Sequence, residues 1–413
     1  METGYDVIIV GGGPAGATAA ILLGHAGWRV AVVEKARFPR RKVCGEFISG
    51  TTWPLLRQLG VAGPLLEIAG PAVRRVAVYA GAAMVTAELA APADGAVESG
   101  RALGREHLDT LLLRRALEAG AEVWQPYALS ALVANEGGYT CTIVDKGTRE
   151  SRALHGRLII AAHGSWESGV MPTQDFRQVP RASDLFGFKA HFLHGALPAD
   201  LMPLLAFPGG YGGMVHTDGG RLSLSCCIRR DHLELCRRRW PHRNAGAAVL
   251  AHIGSSCAGV ALALSPATLD GAWLSAGPLQ TGIRNFGRDG IFAVGNAAAE
   301  AHPIVAEGIS MAIQSATLLC ELLIAHPGVR TDAFMSSRTH ERLRHDYALA
   351  WRTNSSRRFH MSAVFAHLFM RPVPTRVATG LLKFVPQLLT AGAHWSGKMA
   401  PLRRARQFDV MRP

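Results

Sequence analysis

The chain has 413 residues, 48% of them hydrophobic and 18% charged, with a formal net charge of +13. That length and apolar content suit two or three domains with a sizeable core, and no internal repeat or low-complexity stretch appears. No run reaches about 18 uninterrupted apolar residues, and Met1-Glu2-Thr3-Gly4 enters a strand pattern without a basic leader, so the sequence predicts neither a spanning helix nor a secretory signal.

The first strand is Tyr5 to Val10, and Gly11, Gly13 and Gly16 follow it at once. In a strand-turn-helix unit the first glycine permits the tight turn, the second lets backbone approach a pyrophosphate, and the third lets helix pack on strand. The helix predicted from about Pro14 to Ala26 aims its first amides, including that of Ala15, at the phosphates. Glu34 ends the next apolar run, 18 residues after Gly16, where an acid accepts ribose hydroxyls. Such a carboxylate disfavours a 2′-phosphate, so the nucleotide is FAD or NAD rather than NADP.

A basic loop follows, with Lys35, Arg37, Arg40, Arg41 and Lys42, then a helix near Thr51 to Leu59 and strands within Val73 to Leu89. Leu108, Leu111, Leu112 and Leu117 recur at helical spacing within Gly104 to Ala119. A strand follows at Gly120-Ala121-Glu122-Val123, and Leu158 to Ala162 reads as a buried strand ending at His163-Gly164-Ser165. From about 181 to 274 strands mix with Gly-Gly turns and a basic helix around Asp231 to Trp240. Gly290 to Asn296 is again a buried strand running into a turn, before a helix from about Glu307 to Ala325. Beyond Asp332 the chain reads as helices broken by Pro372, Pro374, Pro386 and Pro401. The predicted class is α/β. A discontinuous Rossmann-like nucleotide-binding domain spans 1–75, 101–180 and 275–330. An α+β substrate domain with a mixed sheet spans 76–100 and 181–274, and a basic helical segment spans 331–413.

Four stretches, in this order, resemble the flavoproteins of the para-hydroxybenzoate hydroxylase fold, and within them the geranylgeranyl reductase and halogenase-related branch. They are Gly11 to Glu34; Arg41-Lys42-Val43-Cys44-Gly45-Glu46; Arg105-Glu106-His107-Leu108-Asp109; and Gly295-Asn296-Ala297-Ala298 through Pro303 to Gly308-Ile309. The resemblance implies FAD as cofactor, with NADPH or NADH as electron donor. It places Gly11, Gly13, Ala15, Gly16, Glu34, Lys35, Arg41, Cys44, Gly45, Arg105, Leu129, Gly295, Asn296, Pro303, Gly308 and Ile309 around it, Leu129 on the adenine side. An arginine at a helix start can pair with a pyrophosphate, and a helix N-terminus near Gly308 can stabilise negative charge on a reduced flavin. The family's Asp-Gly is here His163-Gly164, and its Gly-Asp is Gly295-Asn296.

Phe207-Pro208-Gly209-Gly210-Tyr211-Gly212-Gly213 resembles the stretch lining the reductase pocket, with Gly213 in place of a tryptophan. The resemblance implies Cys44 and Tyr211 as catalytic groups, Cys44 as a proton donor beside the flavin. The Trp-x-Trp-x-Ile-Pro stretch of flavin halogenases is absent. The expected activity is oxidoreduction of a bulky apolar molecule, prenyl or polyketide-like, with carbon–carbon double-bond reduction leading. Aromatic hydroxylation by a monooxygenase and non-catalytic escort of a lipidated partner are the alternatives.

Seven scattered cysteines without a CxxC suit a reducing cytoplasm and predict no metal site. From Arg330 to Pro413 there are 15 Lys/Arg against 4 Asp/Glu, so the tail carries +11 of the charge. It lacks a nucleic-acid motif. With Phe359, Phe365, Leu368, Phe369, Leu381, Leu382, Phe384, Leu388 and Leu389 it is expected to cover one end of the cavity and to face an anionic membrane or an acidic carrier domain. A cytoplasmic location, peripheral to the membrane, follows from that reading.

Overall fold

The first strand, Tyr5–Val10, buries Val7 to Val10 on both faces, which is why it reads as a continuous apolar run. It pairs in parallel with Val30–Val33 on one side and with Ser151–Ala161 on the other. The full sheet runs Gly287–Arg288, Ile291–Ala293, Ser151–Ala161, Tyr5–Val10, Val30–Val33, Glu122–Trp124, and the hairpin Tyr127–Asn135 and Gly138–Asp145 extends it antiparallel. The computed structural model describes residues 4–89, 99–165, 168–174, 179–288, 290–326, 328–331 and 336–393.

Helices Pro14–His25, Arg105–Glu118 and Gly308–Ile324 cover this sheet, with Pro14–His25 packed against both of the others. Close approach demands small residues. A methyl group on Gly16 would lie 1.8 Å from the Gly11 carbonyl oxygen, and one on Gly24 would lie 2.4 Å from that of Ala119. Gly16 is thus a packing glycine, as its spacing predicts.

The second sheet has seven strands in the order Thr268–Leu279, Leu185–Leu193, Leu222–Arg229, Gly210–His216, Leu201–Phe207, Arg75–Ala80, Ala83–Glu88. It begins at Arg75 and ends at Leu279, so its last strand crosses the predicted boundary at 274/275. Its two faces follow the two-residue period. Ala77 and Tyr79 join a core under helices Arg230–Arg239, Ala245–Ser256 and Ala258–Leu264, whereas Val76 and Val78 join a core with the C-terminal helices. Helices Ala62–Ile68, Ala245–Ser256 and Ala258–Leu264 are absent from the sequence reading. They are short and rich in alanine and glycine, which blurs the apolar period.

Ser336 caps the long helix Ser337–Phe369 by accepting the Thr339 amide at 3.1 Å. One predicted break is corrected. The chain does break before Pro372, between helices Ser337–Phe369 and Pro372–Phe384, but Pro374 lies in the first turn of the second helix, where a missing N–H costs nothing, and breaks nothing. Pro386 does separate it from Gln387–Ala393, and Pro401 lies outside the described residues. The tail's apolar residues divide. Phe369 and Leu389 are buried, Phe359, Phe365, Leu368 and Leu382 are partly buried, and Leu381, Phe384 and Leu388 are exposed.

The two domains are tied by buried charge. Glu46, on the basic loop of the nucleotide-binding domain, has φ of 61° and is fully buried. It forms an ion pair with Lys189 Nζ and a 2.9 Å contact with His191 Nε2. Those partners stand two residues apart on strand Leu185–Leu193 and so share a face. Burial alone would raise the Glu46 carboxyl, but His191 and Lys189 outweigh it and bring its pKa down to about 2. A depressed carboxyl stabilises the fold above its ordinary value of 4.5, and that contribution is lost as the pH falls from there towards 2. Glu46→Gln strands Lys189 and should cost about 3–5 kcal/mol in urea unfolding at neutral pH. The loss should shrink as the pH falls towards 2; an equal loss at pH 7 and in acid would deny this group its role in acid stability.

Candidate functional site

A cavity of about 680 Å³ runs between the two sheets. Of the sixteen residues placed around the cofactor by sequence, fifteen line it, and the exception is the packing residue Gly16. Cys44 and Tyr211 line it too, as does His163.

At one end the strand Tyr5–Val10 stops and the chain turns at Gly11, whose φ of 114° favours glycine. Helix Pro14–His25 begins there without a side-chain cap, so its first amides face the cavity through Gly13 and Ala15. A side chain on Gly13 would enter the space before Arg105, whose Nη2 lies 3.7 Å from the position of its first carbon. Glu34 accepts the Gly12 and Ala36 amides at 2.8 Å each, which holds its carboxylate at the sheet edge.

Around this turn cations outnumber anions. Arg105 is buried and makes two hydrogen bonds to Asp109, at 2.6 and 2.7 Å, and Arg40 reaches Asp109 at 3.6 Å and Glu34 at 3.9 Å. Burial disfavours the Arg105 charge, yet Asp109 more than restores it. Lys42 is pushed down to about 8 by burial and by the neighbouring Arg105 and Arg40. An anionic pyrophosphate at this helix start would relieve that repulsion, so the residues fit such a group. Arg41 points away from it, pairing with Glu106 at 3.3 Å and Asp270 at 3.6 Å. Lys35 is exposed, and partial desolvation of its ammonium lowers its pKa. Leu129 lies on the second strand after helix Arg105–Glu118, not the first.

The middle of the cavity is framed by Cys44 and Gly45 on the basic loop and by Gly295, Asn296, Pro303, Gly308 and Ile309 from the returning nucleotide-binding segment. Cys44 Sγ accepts the Glu46 amide at 3.4 Å. Cys44 is the half-buried thiol of the chain; the other six cysteines are buried, which raises their pKa values. Gly308 opens helix Gly308–Ile324 with no side chain at its N-cap bonding to it. Asn296 Nδ2 is held by Glu300 at 3.1 Å. His163, in place of the family's aspartate, bonds Thr173 Oγ1 at 2.8 Å, and burial pushes it down to about 4.

The far end belongs to the second sheet. Met202, Leu204, Tyr211, Met214 and Val215 present a largely apolar wall. Gly213 also lines it, and the first atom a side chain there would meet is the Pro203 carbonyl oxygen at 3.4 Å. One polar chain interrupts the wall. Tyr211 Oη contacts His302 Nδ1 at 3.1 Å, and His302 Nε2 contacts Thr281 Oγ1 at 3.4 Å. Burial holds the Tyr211 phenol well above 10 and brings His302 down to about 4 with help from His367, so at neutral pH the phenol keeps its proton and the imidazole is uncharged. Sequence reading missed His302, Lys42 and the partners of Glu46. Only the position of His302 beside Pro303 hinted at its place.

Glu106, His107 and Asp218 also converge. Arg221 pairs with both carboxylates there and Arg41 with Glu106, so guanidinium groups already occupy the cation positions.

The FAD binding domain family matches residues 4–189. Digeranylgeranylglycerophospholipid reductase 2 of Methanothermobacter thermautotrophicus is 26% identical over 371 residues, covering 87% of this chain and 86% of that protein. The fold is that of p-nitrophenol 4-monooxygenase from Pseudomonas putida, with a TM-score of 0.75 at 16% identity over 98% of this chain and 100% of that one. It is equally that of the flavin-dependent brominase Bmp2, with a TM-score of 0.75 at 18% identity over 97% and 95%. Among the described residues no helix is long and apolar enough to cross a membrane. Residues 4–189 carry an FAD binding domain, the fold is shared with a monooxygenase and a flavin-dependent brominase, and the proteins of similar sequence include reductases, monooxygenases and halogenases.

Proposed function

We propose that this protein reduces carbon–carbon double bonds of a bulky, largely apolar molecule of prenyl type, with electrons from NADPH or NADH. The observation that carries the reading is the largely apolar far wall of the cavity, open at Gly213 and crossed by the Tyr211–His302 pair, which Thr281 supports from behind. Similarity along most of both chains to a reductase named for a digeranylgeranyl lipid supports it.

Gly11, Gly13 and the first amides of helix Pro14–His25 would hold the pyrophosphate of FAD, Arg105 and Lys42 would neutralise it, and Glu34 would receive the ribose. Gly295, Asn296, Gly308 and Ile309 would hold the flavin end. Reduced FAD supplies hydride chemistry when bound. Reduction adds a hydride to one alkene carbon and a proton to the other. Tyr211 holds a proton at its Oη on the cavity wall. Once that proton is donated, His302 Nδ1–H restores it, and Nε2 takes its replacement from the half-buried Thr281 side. The apolar wall excludes water and seats the chain, and a residue as small as Gly213 leaves room for branched methyl groups.

The cofactor assignment is tested by purification. Gly13→Val should abolish flavin retention, and Glu34→Ala should weaken it by about 1–3 kcal/mol, the scale of a lost buried polar contact. Full flavin occupancy in Gly13→Val would overturn the assignment.

The reaction is tested by anaerobic reduction with NADPH and with NADH, followed by a geranylgeranyl glycerolipid or by oxygen. Reoxidation by the lipid with formation of saturated product is expected. Oxygen consumption coupled to hydroxylation of an aromatic ring would replace the reading with a monooxygenase. Tyr211→Phe should keep its flavin and lose about 10²–10⁴ in kcat, the usual range for a positioned proton donor. An unchanged kcat in that variant together with a collapse in Cys44→Ala would move the proton to the thiol.

A further inference from the structure

Helix Pro372–Phe384 buries Thr375 and Thr379 against the body and turns an apolar stripe outward. Val373, Val377, Leu381 and Phe384 are 68%, 70%, 55% and 87% exposed. Their spacing of four, four and three residues places them on one helical face. Exposed Leu388 on helix Gln387–Ala393 extends the apolar surface along the chain. A phenylalanine this exposed is not explained by packing within the chain.

The charge around the stripe has one sign. Arg371, Arg376 and Lys383 are exposed, and Arg376 and Lys383, seven residues apart, line one flank. No Asp or Glu occurs between Asp346 and Asp409, while that interval holds ten Lys/Arg. A second copy of this chain would bring the same positive charge to the contact, and a neutral apolar partner would leave the arginines without a role. An anionic lipid surface satisfies both features. A thirteen-residue helix is too short to cross a bilayer but suits the interfacial plane, with apolar residues among the acyl chains and cations at the headgroups.

The position of the helix fits this contact. Phe369 and Leu389, from the helices on either side of it, share a buried apolar cluster with Met202, Tyr211, Ile304 and Val305, which line the apolar end of the cavity. We infer that the stripe Val373, Val377, Leu381 and Phe384, flanked by Arg371, Arg376 and Lys383, docks the enzyme on an anionic membrane surface beside the apolar end of its cavity. The inference goes beyond the proposed reduction and is read without turnover, so either can fail alone.

The test is co-sedimentation of the full chain with phosphatidylcholine vesicles, with and without phosphatidylglycerol. Binding that needs the anionic lipid and fades with added salt is expected. Arg376→Gln with Lys383→Gln should weaken it about thirtyfold, from two basic contacts. Val377→Ser with Phe384→Ser should abolish it at all salt concentrations. All four positions are exposed, so thermal melts and flavin content of these variants should match the parent, which separates lost docking from misfolding. Absence of binding at low salt would overturn the inference, as would binding that the stripe variants leave intact. A dimer split by Phe384→Ser would overturn it in favour of a second copy, and capture by an acidic carrier domain without vesicle binding would assign the surface to that carrier.

Discussion

The cavity lies between two domains that must keep a fixed distance, and one fully buried group of charges joins them. Glu46 belongs to the nucleotide-binding domain, and Lys189 and His191 belong to the substrate sheet. None of the three is exposed to water, so each depends on the others for its solvation. An apolar contact of the same size could slide, whereas a carboxylate shared by an ammonium and an imidazole has a narrow geometry. The loop that carries Glu46 also carries Cys44 and Lys42, so the register of the substrate sheet sets where the thiol and the ammonium stand.

The cavity is divided by chemistry along its length. Backbone amides, two arginines and a lysine gather at the end near Gly13, where flexible apolar ligands would find nothing to bury against. Apolar side chains dominate the end near Met202 and Met214, where a phosphate would lose its hydration without compensation. A ligand with one charged and one apolar part therefore has a single orientation. The Tyr211–His302–Thr281 chain is a hydrogen-bonded polar series in the apolar half, and such a chain suits directed proton movement better than packing.

Local patterns were legible in the sequence, and long-range pairings were not. The turn at Gly11 to Gly16, the acid at Glu34 and the helix after Gly104 each depend on neighbours within about twenty residues, so spacing reveals them. Glu46 and Lys189 are 143 residues apart, and only the crossing of the two sheets joins them. Arg105 stood in the right motif, but its pairing with Asp109 shows that the motif's aspartate orients the arginine as well as ending a pattern. Pro374 was misread because proline carries opposite meanings in the first turn and the interior of a helix. The tail's apolar residues looked alike in the sequence, and packing sorted Phe369 inward and Phe384 outward.

The distribution of cysteines has a chemical consequence. Six of the seven thiols are buried and held in their protonated form, so soluble electrophiles and oxidants meet mainly Cys44, on the cavity wall. Its sulfur is also the part of the basic loop most open to covalent change. Anything that fills the cavity shields this atom; Cys226 and Cys227 also line the cavity but are buried with raised pKa values, so alkylation of Cys44 in the native protein reports occupancy of the cavity.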